Sequence, residues 1–216
     1  MSARRVTIVD YGIGNLLSAA RAFSHCGADV RLTDEPAAIG GAERLVLPGV
    51  GAFADCMRAL DGRRLVDPVK AFAASGRPMI GICVGMQMLF DASEEFGEHG
   101  GLGLLPGRIK RIPDTTTDGA RQKIPHIGWA AVAPSERSDQ SWARSILATT
   151  RPGTEFYFLH SYTAWPDRES HRLGDADYGG RRISAIVRNE NVYGTQFHPE
   201  KSGPHGLSVI TCFLDT

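Results

Sequence analysis

Three short apolar runs, Val6–Val9, Arg44–Leu47 and Pro78–Ile82, stand in the first half of the chain, each closed by glycine, proline or a polar residue. Stretches of helix-compatible length separate them, Asn15–His25 and Leu65–Ser75 among these. Apolar runs without polar alternation belong to strands covered on both faces, so this rhythm predicts a parallel sheet with right-handed helical crossovers. In such a sheet functional residues gather at the carboxyl ends of the strands. The second half is less regular. Gly107–Ile112, Ile127–Val132, Glu155–Leu159, Ile183–Arg188 and Val192–Gln196 read as strands joined by polar turns, which predicts that the sheet becomes mixed there. Arg111–Ile124, with Thr115-Thr116-Thr117-Asp118-Gly119 inside it, reads as a loop or hairpin tip, and Pro134–Ser141 as another polar connection. Neither is long or biased enough for a linker, and no internal repeat is visible. The expectation is therefore one α/β domain over residues 1–216, a central, mostly parallel mixed sheet flanked by helices.

Composition narrows the function classes. Hydrophobic residues at 42% and charged residues at 22% describe an ordinary globular chain rather than a disordered or fibrous one. The 24 basic residues balance 24 acidic ones, so no global field draws the protein toward nucleic acid or an anionic membrane. Met1-Ser2-Ala3-Arg4-Arg5 leads straight into Val6–Val9, too short an apolar stretch for a signal peptide or a membrane span, which predicts a cytoplasmic protein. The four cysteines, Cys26, Cys56, Cys83 and Cys212, lack C-x-x-C spacing, which argues against a zinc site and against a disulfide framework. Cys26, Cys56 and Cys212 lie among apolar or small residues and read as packing residues.

Cys83 is different. Gly81-Ile82-Cys83-Val84-Gly85-Met86-Gln87 follows an apolar strand and enters a segment whose apolar residues Met86, Leu89 and Phe90 have helical spacing. A strand-to-helix turn this sharp strains the backbone at the nucleophile and leaves no room for side chains beside it, which is what the flanking glycines permit. It also sets the sulfur at a helix N-terminus, where unpaired N–H groups favour thiolate. By itself the segment is equally compatible with a buried structural cysteine.

A thiol nucleophile needs a base within hydrogen-bond reach, and the base needs a partner that fixes its tautomer. Gly194-Thr195-Gln196-Phe197-His198-Pro199-Glu200-Lys201-Ser202 supplies both in His198 and Glu200. A spacing of two puts these side chains on one side of an extended segment, with Pro199 stiffening the backbone between them. Alone, His-Pro-Glu also fits a surface histidine beside a solvated acid. Acyl transfer further needs amide donors where the oxyanion forms. In Pro48-Gly49-Val50-Gly51-Ala52-Phe53 the glycines free the Val50 peptide to face the site, so Val50 and Val84 are the candidate oxyanion donors. A plain β-turn is the competing reading of that segment.

Together with Asp10-Tyr11-Gly12-Ile13-Gly14-Asn15-Leu16, Pro125-His126-Ile127-Gly128-Trp129 and His160-Ser161-Tyr162, these segments span nearly the whole chain. In their order and spacing they resemble the class-I, triad-type glutamine amidotransferases, most closely the branch that serves a histidine-pathway cyclase. The resemblance implies the class-I amidotransferase fold. It implies that Cys83 attacks the side-chain amide of glutamine, that His198 passes the proton to the leaving ammonia and that Glu200 orients His198, with water clearing a glutamyl thioester. Glutamine contacts carry over to Gly49, Gly51, Gln87, Glu95, Ser161 and Tyr162. At Glu95 the local sequence Ser93-Glu94-Glu95 fits a solvated helix end as well.

No metal and no cofactor is implied. The implied partner is a (β/α)8-barrel cyclase, in a heterodimer, that uses the ammonia to form imidazole glycerol phosphate and an aminoimidazole carboxamide ribotide. Amidotransferase segments occupy the chain from end to end, so the ammonia-consuming site is expected on that other protein. His160, in an aromatic run without a nearby carboxylate, reads as site wall or interface, and His126 has no metal-ligand partner at useful spacing. The Pro125–Trp129 segment is implied to face the partner; Ala130 stands where relatives usually carry asparagine, which bears on the interface and not on the chemistry. Three rival readings share these features: a paralogue feeding another synthase, such as one modifying a nucleotide sugar, a catalytically silent interaction subunit, and a cysteine peptidase or γ-glutamyl hydrolase. The last does not account for the Gly12–Asn15 and Pro125–Trp129 segments, and the filled triad positions weigh against the second.

Overall fold

The computed structural model describes residues 4–136 and 138–216. Its first half runs β1 (Arg4–Val9), α1 (Leu16–His25), β2 (Ala28–Thr33), α2 (Pro36–Gly40), β3 (Leu45–Gly49), α3 (Phe53–Gly62), α4 (Val66–Ala74), β4 (Met79–Cys83) and α5 (Val84–Met88). Then come β5 (Phe90–Ser93), β6 (His99–Gly100), β7 (Leu105–Arg111), β8 (His126–Pro134), β9 (Thr154–His160), β10 (Tyr162–Pro166), β11 (Arg172–Tyr178), β12 (Arg181–Asn189), β13 (Val192–Thr195) and α6 (Gly203–Leu214).

Nine strands form the central sheet in the order β2-β1-β3-β4-β13-β12-β11-β8-β9. From β2 to β13 every pairing is parallel, and from β13 onward every pairing is antiparallel. This is the mixed sheet that the change of pattern between the two halves predicts. β3, β4 and β13 are buried at every position, as strands covered on both faces must be. Their registers align Gly49 with Cys83 and Thr195 with Ile82, so three neighbouring strands end on one edge. The Pro48–Phe53, Gly81–Gln87 and Gly194–Ser202 segments all pass through that edge.

A second sheet, β10-β7-β5-β6, was not foreseen as a separate unit. The helical spacing of Met86, Leu89 and Phe90 is misleading, because α5 stops at Met88 and Phe90 opens β5, paired with Leu105 of β7. An apolar residue at helical spacing is buried here by sheet pairing instead. Arg111–Ile124 is a hairpin tip, closed by a Thr115–Arg121 bridge and by a Thr116 amide to Ala120 carbonyl bond at 2.8 Å. No helix among the described residues is long and apolar enough to cross a membrane.

The far edge of the large sheet folds back onto the catalytic edge. The His198 amide donates to the Tyr157 carbonyl at 3.0 Å, and the Tyr157 amide donates to Ser202 Oγ at 3.0 Å. Phe156 stacks on Phe197 with ring centroids 4.1 Å apart, sealing the junction with apolar area. On the other flank, a Cβ on Gly85 would stand 1.9 Å from the Leu47 carbonyl oxygen, and one on Gly49 would stand 2.5 Å from the Gly85 nitrogen. Backbone therefore touches backbone where β3 passes the start of α5. Gly85→Ala is expected to cost about 3 kcal/mol or more, or to prevent folding. Gly62→Ala, where nothing lies within 4 Å, should be neutral to mildly stabilising. Urea unfolding midpoints of the two variants check this.

Candidate active site

Cys83 sits at φ 55°, ψ −111°, between β4 and α5. Left-handed backbone at a residue with a Cβ is sparsely populated and held only by its surroundings. Here the holding is done by the Gly49–Gly85 contact on one side and by the parallel pairing of β4 with both β3 and β13. The sulfur is nearly buried, with the Leu159 carbonyl and Gln196 Nε2 each 3.9 Å away.

His198 follows β13 in extended backbone, and Pro199–Lys201 then form a 3-10 turn. The expected extended His-Pro-Glu geometry is thus corrected: the turn, not strand alternation, swings Glu200 back so that its Oε1 lies 2.8 Å from His198 Nδ1. Proline at the first turn position suits this, since its fixed φ is preset for it and its missing N–H is not needed. Both side chains are buried, His198 at 4% and Glu200 at 3% exposure, which excludes a surface histidine beside a solvated acid. Cys83 lines the same cavity as His198, near enough for the sulfur to favour the imidazolium.

A cavity of about 230 Å³ opens above this trio. Val50, Gly51, Val84, Gln87, Glu95, Ser161 and Tyr162 all line it. Nine of the eleven candidate residues are accordingly brought to one hollow. Glu200 stands behind His198, and Gly49 lies behind the elbow, where its lack of a side chain admits the Val84–Gly85 backbone. Glu95 is no helix end: it follows β5, and its Oε2 accepts the Phe53 amide at 2.6 Å at the start of α3. Gln87 is buried, and its Nε2 donates to the Tyr162 carbonyl and to Gln196 Oε1, each at 3.1 Å. The Val50 carbonyl accepts the Cys56 thiol at 3.3 Å, so Cys56 does pack, and it tethers the loop as well.

A family model for class-I glutamine amidotransferases matches residues 7–215. The chain belongs to this family. It is 50% identical over 210 residues to imidazole glycerol phosphate synthase subunit HisH 1 of Legionella pneumophila (strain Lens), covering 97% of this chain and 98% of that one. It is 44% identical over 211 residues to imidazole glycerol phosphate synthase subunit HisH of Syntrophotalea carbinolica, covering 97% and 99%. Among solved structures, a chain in the structure of PurLQS from Thermotoga maritima matches with a TM-score of 0.74 at 20% identity, over 100% of this chain and 99% of that one. At that identity the likeness speaks for the fold alone.

Several residues of this amidotransferase site carried no assigned role in the sequence. Gln196, fully buried, bridges Gln87 to the sulfur, and its place two residues before His198 was the available signal. Tyr11, in the Asp10–Leu16 segment, donates its hydroxyl to the Pro48 carbonyl at 2.6 Å and so anchors the strand that leads to Val50. Burial raises its phenol out of the titrating range. Leu159, Pro125 and Lys201 complete the cavity rim, and only the fold brings them there. His160 lines the wall as expected, but both its ring nitrogens are engaged, by the Tyr162 carbonyl at 2.7 Å and by His126 at 3.3 Å. It has no free nitrogen with which to act as base.

Burial alone would strip the proton from His198, but hydrogen bonds to Cys83 and Glu200 and the charges of both outweigh it and hold the imidazole up at about 10. A histidine raised above its unfolded value of about 6.5 stabilises the fold fully below that pH and loses the contribution as pH rises through the folded value. Between about 6.5 and 10, then, the pair's stabilisation fades. Glu200→Gln removes one of the two charges, so its penalty relative to wild type should be largest near neutral pH and shrink toward about pH 10. Unfolding midpoints of both proteins across that range test the sign.

Proposed function

We propose that this amidotransferase chain, one domain over residues 1–216, is the glutaminase subunit of an imidazole glycerol phosphate synthase in histidine biosynthesis, hydrolysing glutamine to glutamate and ammonia for a cyclase partner. The observation that carries the chemistry is the buried Cys83–His198–Glu200 constellation at the floor of a cavity sized for one amino acid. Its relatives' names, held over nearly the full length of both chains, carry the choice of acceptor pathway.

In this reading the Cys83 sulfur attacks the carboxamide carbon of glutamine, and the Val50 and Val84 amides take the oxyanion. His198, beside the sulfur, hands its proton to the departing nitrogen, and neutral ammonia leaves. His198 then takes a proton from water, the resulting hydroxide opens the glutamyl thioester, and glutamate is released. Glu200 keeps the imidazole in the one tautomer and orientation that serve both steps. Ser161, Tyr162, Gln87, Glu95 and Gly51 surround the substrate's amino-acid end, and no metal or cofactor enters the chemistry. Gly49 contributes by letting the elbow close.

The partner in this proposal is a (β/α)8-barrel cyclase, and its docking face surrounds the cavity mouth. Exposed Ile127 and Trp129 on β8 lie beside Leu159, with Val50 at the rim, an apolar group that water would otherwise cover. Ala130 is half-buried on the same strand, paired with Phe156, which leaves the apolar face to its neighbours. Ammonia crosses this interface without meeting bulk water, where it would be protonated. The reaction is assigned to the cytoplasm, in keeping with the pathway of the relatives and with the absence of any membrane-length apolar helix among the described residues.

Two measurements test this. In the reconstituted complex, Cys83→Ser should lower glutamine-dependent formation of imidazole glycerol phosphate by about 10³-fold or more while ammonia-dependent formation persists; loss of both, or of neither, contradicts the assignment. The Val50 peptide, between residues free to rotate, is proposed to present its donor only when the cyclase is bound. Glutaminase turnover should then rise when cyclase and its nucleotide ligand are added, and equal rates with and without them would remove the gating role while leaving the triad.

A further inference from the structure

His126 and His160 are neighbours across β8 and β9, and both are buried, at 3% and 6% exposure. His126 lies between two rings, stacked on Phe158 at 5.0 Å and on Tyr178 at 4.0 Å. Its Nδ1 meets His160 Nε2 at 3.3 Å, and His160 Nδ1 meets the Tyr162 carbonyl oxygen at 2.7 Å. No group of three or more His, Cys, Asp or Glu among the described residues is arranged to hold a metal, so the pair is not part of such a site.

The carbonyl settles the proton positions. A carbonyl oxygen can only accept, so His160 must carry its proton on Nδ1. In a neutral ring this leaves Nε2 bare, and His126 must then donate from its own Nδ1. Burial keeps both rings neutral, His126 pushed down to about 4 and His160 down to about 3, the latter against the pull of the Tyr162 bond. Two donors therefore converge on the Tyr162 carbonyl, His160 Nδ1 and Gln87 Nε2, and they occupy both of its lone pairs. The peptide at the end of the Ser161–Tyr162 wall has no freedom to rotate.

We propose that His126 is a positioning residue for the substrate: its Nδ1–H, acting through His160, fixes the Tyr162 carbonyl and with it the Ser161–Tyr162 wall against which the amino-acid end of glutamine rests. The inference rests on the glutaminase reading for what binds that wall. Among the described residues no hydrogen bond joins His126 to Cys83, His198 or Glu200, so the effect falls on substrate binding rather than on the chemical step.

Two variants separate hydrogen bonding from packing. His126→Phe keeps a ring between Phe158 and Tyr178 but has no donor; His126→Asn loses the ring but keeps an N–H near the Nδ1 position. In the complex with the cyclase, His126→Phe should raise the KM for glutamine about tenfold with kcat within about threefold, and His126→Asn should hold KM within about threefold of wild type. An unchanged KM in His126→Phe, a fall confined to kcat, or a His126→Asn variant as impaired as His126→Phe would overturn the proposal. Long-range ¹H–¹⁵N correlation spectra of the histidine rings supply an independent readout: both rings should be Nδ1–H tautomers, and an Nε2–H tautomer at either overturns the relay even if the variants misfold. If the wild-type complex hydrolyses no glutamine, it is the functional reading that fails, while the tautomers still decide whether the relay exists.

Discussion

Holding one residue, Cys83, in left-handed backbone costs roughly 1–3 kcal/mol, and the surrounding fold is arranged so that no cheaper conformation is open to it. Parallel pairing to β3 and β13 fixes the incoming chain, and the contact of the Gly49 and Gly85 backbones fixes the outgoing one. Because those two glycines permit backbone contact, β3 delivers the Val50 loop to the sulfur with no side chain between them. Register then does the same for β13, whose end brings His198 to the edge where Cys83 stands. The elbow is thus the reference point from which each other part of the site takes its distance.

Burial pushes four polar side chains in or beside one small hollow, His198, His126, His160 and Tyr11, toward their neutral forms, and what each one faces decides whether that push wins. His198 faces a carboxylate and a thiol, which favour the imidazolium and lift it to about 10. His126 and His160 face each other and a carbonyl, which offer a cation nothing that offsets desolvation, and both fall far below the usual histidine range. Tyr11 spends its hydroxyl on the Pro48 carbonyl and stays neutral. The imidazolium of His198 therefore stands beside the sulfur, while the histidine pair behind the Tyr162 wall is neutral and hydrogen-bonded.

The second sheet and the fold-back of β9 turn this edge into a pocket. Glu95 comes from beyond β5, Tyr162 from β10, and Leu159 and His160 from the outermost strand of the large sheet. Glu95 binds the start of α3 while it faces the cavity, so one carboxylate serves both the packing of a helix and the wall of the site. The bond from the His198 amide to Tyr157 ties the base to the same strand that carries the rim. Base and wall are consequently anchored at different points of one strand, the base at Tyr157 and the wall at His160.

The parallel core, the change to antiparallel pairing, the elbow at Cys83 and the His198–Glu200 partnership could be read from the chain, because each depends on residues within a few positions of one another. Apolar runs set the strands, glycines set the sharp turn, and the order of the motifs identified the family. The helix expected to carry Phe90 stopped short, because that apolar residue pairs with Leu105, fifteen residues further along the chain, a contact that local periodicity does not encode. The turn that brings Glu200 to His198 replaced an extended segment for a similar reason: the Tyr157 and Ser202 bonds on either side decide the backbone there. Gln196, Tyr11 and the His126–His160 pair acquired roles only once strands distant in sequence lay side by side. Sequence by itself determined which groups could react, since reactivity belongs to residue type and immediate neighbours. Which of them share one hollow, which are charged and which are locked by hydrogen bonds was decided by tertiary structure, because desolvation and hydrogen-bond partners are properties of the folded interior.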